Sequence, residues 1–256
     1  MPDKDNKTLI NEALKSTKIL DMYPKAAKEL TEKLQKYFRD KNVALKVVTK
    51  DIKDGNNTLA GYEGQVADAE KTLAGLEKAK IEPATAKKLE SAIKSASSAL
   101  KELGTNLTVY DKFADTAEKD DAKLDQIASV LLKLGEPTLQ SLTDSVITVQ
   151  VQPQSVQEGF DKSWPKQAIQ KAFIQVGTDM HEVGEEITKG ETFIDSAATM
   201  LKRRKDAFEP GTIAACDKID TMKDDMDKQL VKLRPIYGQA IKDLRDFGAR
   251  LKAMPD

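Results

Sequence analysis

A long heptad pattern constrains this chain more than any other feature. Between Leu45 and Ile81 the seam residues recur in strictly alternating steps of three and four, at positions 45, 48, 52, 55, 59, 62, 66, 69, 73 and 76. Such alternation over about five heptads is the seam of a helix that packs along another helix. At about 1.5 Å per residue this helix is about 55 Å long. The sequence therefore predicts a protein built from long packed α-helices.

Three further stretches have the same pattern; they run from Ala86 to Ala117, from Ile169 to Phe208 and, with one four–four step, from Ile219 to Leu251. Short connections between long helices are typical of antiparallel αα-hairpins. We therefore predict an all-α fold, an elongated antiparallel helical bundle of two long hairpins at about 24–119 and 165–253. Together with the connecting and capping region they form a single domain over residues 1–256.

The region that connects the hairpins, about 120–164, contains several residues that favour helix breaks. These are the polar run from Glu118 to Lys123 and three later residues, Gly135, Pro153 and Gly159. A short helix is expected after the polar run, and its apolar face would consist of Leu124, Ile127, Leu131 and Leu134.

Residues 145–164 differ from the rest of the chain in their period. Ile147, Val149 and Val151 alternate with polar residues, which is the period of two of a β-strand. A helix end that continues into an extended loop explains so short a run equally well. We expect a short irregular, β-like segment here, and it is the candidate interaction segment together with the sole tryptophan, Trp164.

The sequence leaves open whether residues 24–80 form one helix or two. The spacing of apolar residues stays in phase between Phe38 and Leu45, and no strong breaker separates them. Gly55, followed by two asparagines, has the chemistry of a turn or a helix cap. The heptad register favours a continuous helix through Gly55, because an inserted loop would shift the phase.

Four positions interrupt otherwise regular helices and are candidate flexible or register-setting positions: Gly55, Gly190, Arg204 and Pro235. The first three replace an apolar residue in a heptad seam, where polar or small residues fix register and partner at some cost in stability. A proline inside a helix kinks it. Tolerated packing defects are the alternative explanation.

Composition argues against several classes of function. The 41 basic and 42 acidic residues nearly cancel, so no global field favours nucleic acid or an anionic membrane. The single histidine, His181, cannot supply the two Glu-x-x-His pairs of a di-iron bundle, and with the single Cys216 it is too little for a zinc site. No glycine pattern fits phosphate binding. We therefore expect no enzymatic activity, no cofactor and no metal.

The N-terminal stretch from Met1 to Thr8 is polar and lacks the apolar region of a conventional signal peptide. No run approaches the roughly 18–20 apolar residues of a membrane span. The expected location is the cytoplasm, or the outside of the cell after export without a conventional signal peptide.

These observations favour a protein that acts through a protein partner or through self-association. The alternative is a membrane-active helical protein, because a long bundle with a β-like insert is similar in architecture to components of α-helical pore-forming toxins. The stretch from Ile147 to Val151 is too short and too polar for the apolar tongue that this similarity implies. A peripheral bundle that coats a surface with amphipathic helices is a further alternative. Neither charge nor hydropathy favours a membrane.

Overall fold

The computed structural model describes residues 5–41, 43–208 and 213–255. It contains α1 (Asn6–Leu20), α2 (Tyr23–Asp40), α3 (Leu45–Lys78), α4 (Pro83–Asp161), α5 (Lys166–Arg204) and α6 (Ile213–Ala253). These described ranges contain no β-strand. The predicted all-α fold, in which helices pack along one another, is confirmed.

The chain divides into two compact units. Unit 1 comprises the described residues of Met1–Asp121 and Ala207–Glu209, and unit 2 those of Ala122–Asp206 and Pro210–Asp256. Helix α4 supplies residues to both units. The single domain of the sequence analysis stays a prediction.

In unit 1, α1 and α2 run one after the other in the direction opposite to α3. The side chain of Leu9 lies against Gly75, where a Cβ atom would come within 3.3 Å of it. Further along, the Tyr37 hydroxyl donates a hydrogen bond of 3.0 Å to Asp51. Residue numbers therefore rise along α1 and α2 as they fall along α3.

The first part of α4 returns along α3 and completes the bundle of unit 1. A Cβ atom on Gly104 would lie 3.2 Å from the side chain of Leu59, and Leu107 lies against Gly55 in the same manner. The core along this contact consists of leucine, isoleucine, valine and alanine side chains, as the heptad seams predict.

Phe208 belongs to the core of unit 1, although the preceding chain from Ala122 to Asp206 belongs to unit 2. Its ring meets Phe38 edge-on, with 5.1 Å between the ring centroids. Phe38 also stacks on Tyr110 of α4 at 5.3 Å. Aromatic pairs at such separations add to the stability that their burial provides.

Unit 2 is a bundle of three helices: residues 122–161 of α4, then α5, then α6. Asp125 pairs with Arg204, whereas Leu142 lies against Gly190, so α4 and α5 are antiparallel. Helix α6 is antiparallel to α5, because Phe173 lies against Gly248 while the later residue Glu191 pairs with Arg234. Each unit thus contains three helical layers in alternating directions.

Residues 24–80 form two helices. Helix α2 ends at Asp40, and Lys41 after it adopts a left-handed conformation with φ of 48°. Helix α3 passes through Gly55 and the two asparagines after it without interruption, as the heptad register indicated.

The helix breaks predicted in the connecting region are wrong. Helix α4 is continuous from Pro83 to Asp161 and includes the run from Glu118 to Lys123. Its buried residues continue at helical spacing as Leu124, Leu131, Gly135, Leu142, Ser145, Val149, Pro153, Val156 and Gly159. Gly135 lies against Met222 and Phe193, and Gly159 lies against Trp164 and Ile169. These two glycines are therefore positions of close packing inside the helix.

The predicted β-like segment at 145–164 is also wrong, since residues up to Asp161 are helical. Val149 is buried, whereas Ile147 and Val151 lie on the outer side of the helix. Ile127 and Leu134, expected on the apolar face, are exposed. The buried face instead includes small residues such as Gly135 and Ser145.

Candidate functional site

Gly55 and Gly190 both lie where helices approach closely. A Cβ atom on Gly55 would lie 2.9 Å from side-chain atoms of both Leu30 and Leu107. On Gly190 it would lie 2.8 Å from Leu142, whose side chain is fully buried. The crowding fits a register-setting role, which stays a prediction.

Arg204 and Pro235 lie in different surroundings. Arg204 is buried at the end of α5, and its Nη2 atom is 3.3 Å from Oδ1 of the exposed Asp125. Pro235 is exposed inside α6, next to Arg234, which pairs with Glu191 at 2.7 Å. Arg204 therefore forms an ion pair that connects α5 with α4, and Pro235 adjoins one that connects α5 with α6.

A cluster of titratable groups connects α2 with α3 in unit 1. The Lys33 Nζ atom lies 2.7 Å from the Asp51 carboxylate, which also accepts the hydrogen bond from Tyr37. Partial burial raises the pKa of Asp51, but the hydrogen bonds from Lys33 and Tyr37 outweigh it and hold that pKa below its ordinary value of 3.8. Because Lys33 and Tyr37 both contact the Asp51 carboxylate, we interpret the cluster as a structural contact between α2 and α3.

Because the pKa of Asp51 is lower in the folded state, the stabilisation that this contact provides should be lost at low pH. We expect Asp51→Asn to lower the free energy of unfolding by about 1 kcal/mol at neutral pH. The difference in the free energy of unfolding between wild type and variant should have its full size at pH values above the ordinary pKa of 3.8. It should disappear as the pH falls through the lower pKa that Asp51 has in the folded state. Urea titrations over a pH series measure it, with Asp54→Asn on the exposed side of α3 as the control. A difference that does not change with pH would contradict this explanation.

The four residues of the predicted interaction segment separate into three environments. Ile147 and Val151 are exposed by 58% and 55%, whereas Val149 is exposed by only 4% and faces the core. Trp164 follows the end of α4, and its ring lies against Gly159. Only Ile147 and Val151 therefore share a free surface.

Ile147 and Val151 belong to a longer line of exposed residues on α4. We call this line the α4 stripe; at steps of three or four it contains Glu136, Gln140, Asp144, Ile147, Val151, Gln154 and Glu158. It lies on the side of the helix opposite the buried Val149 and Val156. The two apolar side chains are at the centre, with glutamines and carboxylates towards both ends.

The charge of this part of α4 differs from that of the rest of the chain. No basic residue occurs between Lys133 and Lys162, and residues 137–157 contain a single charged residue, Asp144. In the whole chain 32% of residues are charged. Depletion of charge is the compositional signal of the centre of a protein interface. The depletion of charge can be seen in the sequence. Because helix breaks are expected in this region, the sequence does not indicate that the exposed residues share one face of a single helix.

Neither metal-binding clusters nor membrane spans occur among the described residues. No three His, Cys, Asp or Glu side chains there are placed to hold a metal ion. His181 is exposed, and its Nε2 atom is 3.7 Å from the Glu185 carboxylate on the same helix. No described helix has a stretch that is both long and apolar enough to cross a bilayer.

The α4 stripe thus differs from an ordinary solvated helix face in its depletion of charge and its two exposed apolar side chains. Searches against family models, curated proteins and solved structures find no match for this chain.

Proposed function

We propose that this protein has no catalytic activity of its own and acts by binding a protein chain through the α4 stripe. The observation that carries the proposal is the exposure of Ile147 and Val151 at the centre of a face that is depleted of charge. Apolar side chains exposed by more than half leave water readily when another helix covers them. The surrounding glutamines offer hydrogen bonds to that helix without the desolvation cost of full charges.

The size of the apolar pair sets the expected strength of binding. Ile147 and Val151 are exposed by 58% and 55%, so covering the part that remains in water would contribute roughly 1–2 kcal/mol for each side chain. Part of that energy offsets the loss of translational and rotational freedom on association. The remainder is well below the roughly 8 kcal/mol of a micromolar complex, so we expect the apolar pair alone to give a weaker, reversible contact whose strength depends on the polar residues around it.

Crosslinking tests the proposal directly. A photo-crosslinking amino acid at position 147 should form adducts with another protein chain in the source cells. The same amino acid at position 181, on the exposed surface of α5, is the control and should form few. Equal adduct yields at the two positions would contradict the α4 stripe as the contact surface.

A pair of substitutions in the α4 stripe should weaken binding to the partner chain without unfolding the protein. Ile147→Lys with Val151→Lys places two charges where we expect burial, and should reduce binding at least about tenfold. Val231→Lys alters a comparably exposed valine on α6 and should leave binding unchanged. Circular dichroism verifies that both variants remain helical. Binding that survives the double substitution would contradict the proposal.

The membrane-active alternative makes a different prediction. Because the α4 stripe has acidic but no basic residues, it gains no electrostatic attraction to anionic lipids. We expect the protein to stay in solution when mixed with anionic or zwitterionic vesicles and to release no trapped dye. Vesicle binding with dye release would favour the membrane-active function instead.

A further inference from the structure

Unit 2 has a groove of about 880 Å³ between the start of α5 and the end of α6. All the described residues that line it come from these two helices, and Phe173, Ile174 and Leu244 make much of it apolar. Ile174 is exposed by 60%, so its side chain is open to solvent. A groove between two antiparallel helices has the form that accepts the apolar face of a third helix.

The charge of this α5–α6 groove is positive. Lys166, Arg245 and Lys252 line it, and no carboxylate does. Lys166 donates a hydrogen bond of 2.8 Å to the carbonyl oxygen of Met254, which holds the ammonium group in place. Among the described residues, neither Arg245 nor Lys252 forms an ion pair. The groove therefore fits a helix with an apolar centre and acidic flanks.

The α4 stripe is such a helix face. Ile147 and Val151 supply the apolar centre, and Asp144 and Glu158 the acidic flanks, with no basic residue between them. Glu158 also pairs with Lys162, just beyond the end of α4, so Asp144 is the flank without a cationic neighbour. We propose that the α4 stripe of one copy of this chain binds in the α5–α6 groove of a second copy. This inference rests on the proposed function and adds the identity of the partner.

The two surfaces cannot meet within one molecule. The buried side of α4 faces α5 and α6 through contacts such as that of Leu142 with Gly190. The α4 stripe is on the opposite side, and α4 does not line the groove. The contact between copies is therefore heterologous, so successive copies add head to tail into a ring or a filament.

Complementation between two variants of the full chain tests this geometry by sedimentation velocity. The stripe variant contains Ile147→Lys and Val151→Lys, and the groove variant contains Arg245→Glu and Lys252→Glu. We expect wild type to associate as its concentration rises, and each variant alone to associate at least about tenfold more weakly. An equimolar mixture should form a one-to-one dimer, because an intact stripe and an intact groove remain on different partners.

A matched variant controls for the change in charge. Lys232→Glu with Lys242→Glu makes the same change at exposed positions of α6 that do not line the groove. It should associate as wild type does. Association of the groove variant at wild-type strength, or a mixture that stays monomeric, would overturn the inference.

The failure of this inference is distinguishable from that of the proposed function. If wild type stays monomeric at every concentration while position 147 still forms crosslinks, the partner is a different protein. The inference is then overturned and the proposed function stands. If position 147 forms no specific crosslinks, both are overturned.

Discussion

Replacing Gly190 by valine should destabilise unit 2 by about 3 kcal/mol. A Cβ atom alone would come within 2.8 Å of Leu142, and valine adds two methyl groups to it. Leu142 is fully buried and cannot move into solvent, so either its rotamer or the distance between α4 and α5 must change. Urea denaturation followed by circular dichroism measures the loss.

Two further variants establish the cause. Gly177→Val is the matched control on the same helix, because a Cβ atom there meets nothing within 4 Å; it should change stability by less than about 0.5 kcal/mol. Combining Gly190→Val with Leu142→Ala should restore part of the loss, with a coupling of at least about 1 kcal/mol between the sites. Equal losses at positions 190 and 177 would contradict the close contact.

Replacing Pro137 by alanine should stabilise the protein by about 2 kcal/mol. Pro137 is an exposed residue inside α4, where it has no N–H to donate to the carbonyl oxygen of Lys133 and its ring crowds that turn. Alanine restores the hydrogen bond without loss of core packing. Urea denaturation measures the gain in the free energy of unfolding. Slower hydrogen exchange of the backbone amides next to position 137 would show that the gain arises in this part of α4.

Pro24 is the matched control for this substitution. It lies in the first turn of α2, where the missing N–H would have no helical partner. Pro24→Ala should therefore change the free energy of unfolding by less than about 0.5 kcal/mol. No gain from Pro137→Ala would indicate that α4 is interrupted at Pro137. An equal gain from Pro24→Ala would show that the missing interior hydrogen bond is not the cause of the gain.

The long heptad seams were sufficient to predict the helices on either side of the connecting region. In α3 the phase of the apolar residues on both sides of Gly55 outweighed its local turn chemistry. The prediction is wrong in α4 because the local propensities of Gly135 and Gly159 favour a helix break. Their helix persists because side chains from distant parts of the chain, such as Met222, pack against them. A sequence does not specify which distant residue will occupy the space above a glycine.

The candidate interaction surface was only partly predictable for the same reason. The alternation of Ile147, Val149 and Val151 drew attention to the correct stretch but assigned it the wrong period. At helical spacing Val149 turns into the core while the other two turn outward. The absence of basic residues around them was visible in the sequence, but its meaning depends on their sharing one helix face. The complementary groove joins residues near positions 170 and 248, which no local pattern connects.

The place of Phe208 in unit 1 has a consequence for synthesis on the ribosome. At about 5–20 residues per second, roughly 4–17 s separate the emergence of Asp121 from that of Phe208. During this interval the nascent chain contains all of unit 1 except Ala207–Glu209, which include the ring that meets Phe38 edge-on. The aromatic cluster around Phe38 is then open to solvent or to a chaperone. The core of the first bundle therefore receives its last ring only after residues 122–207 have been translated.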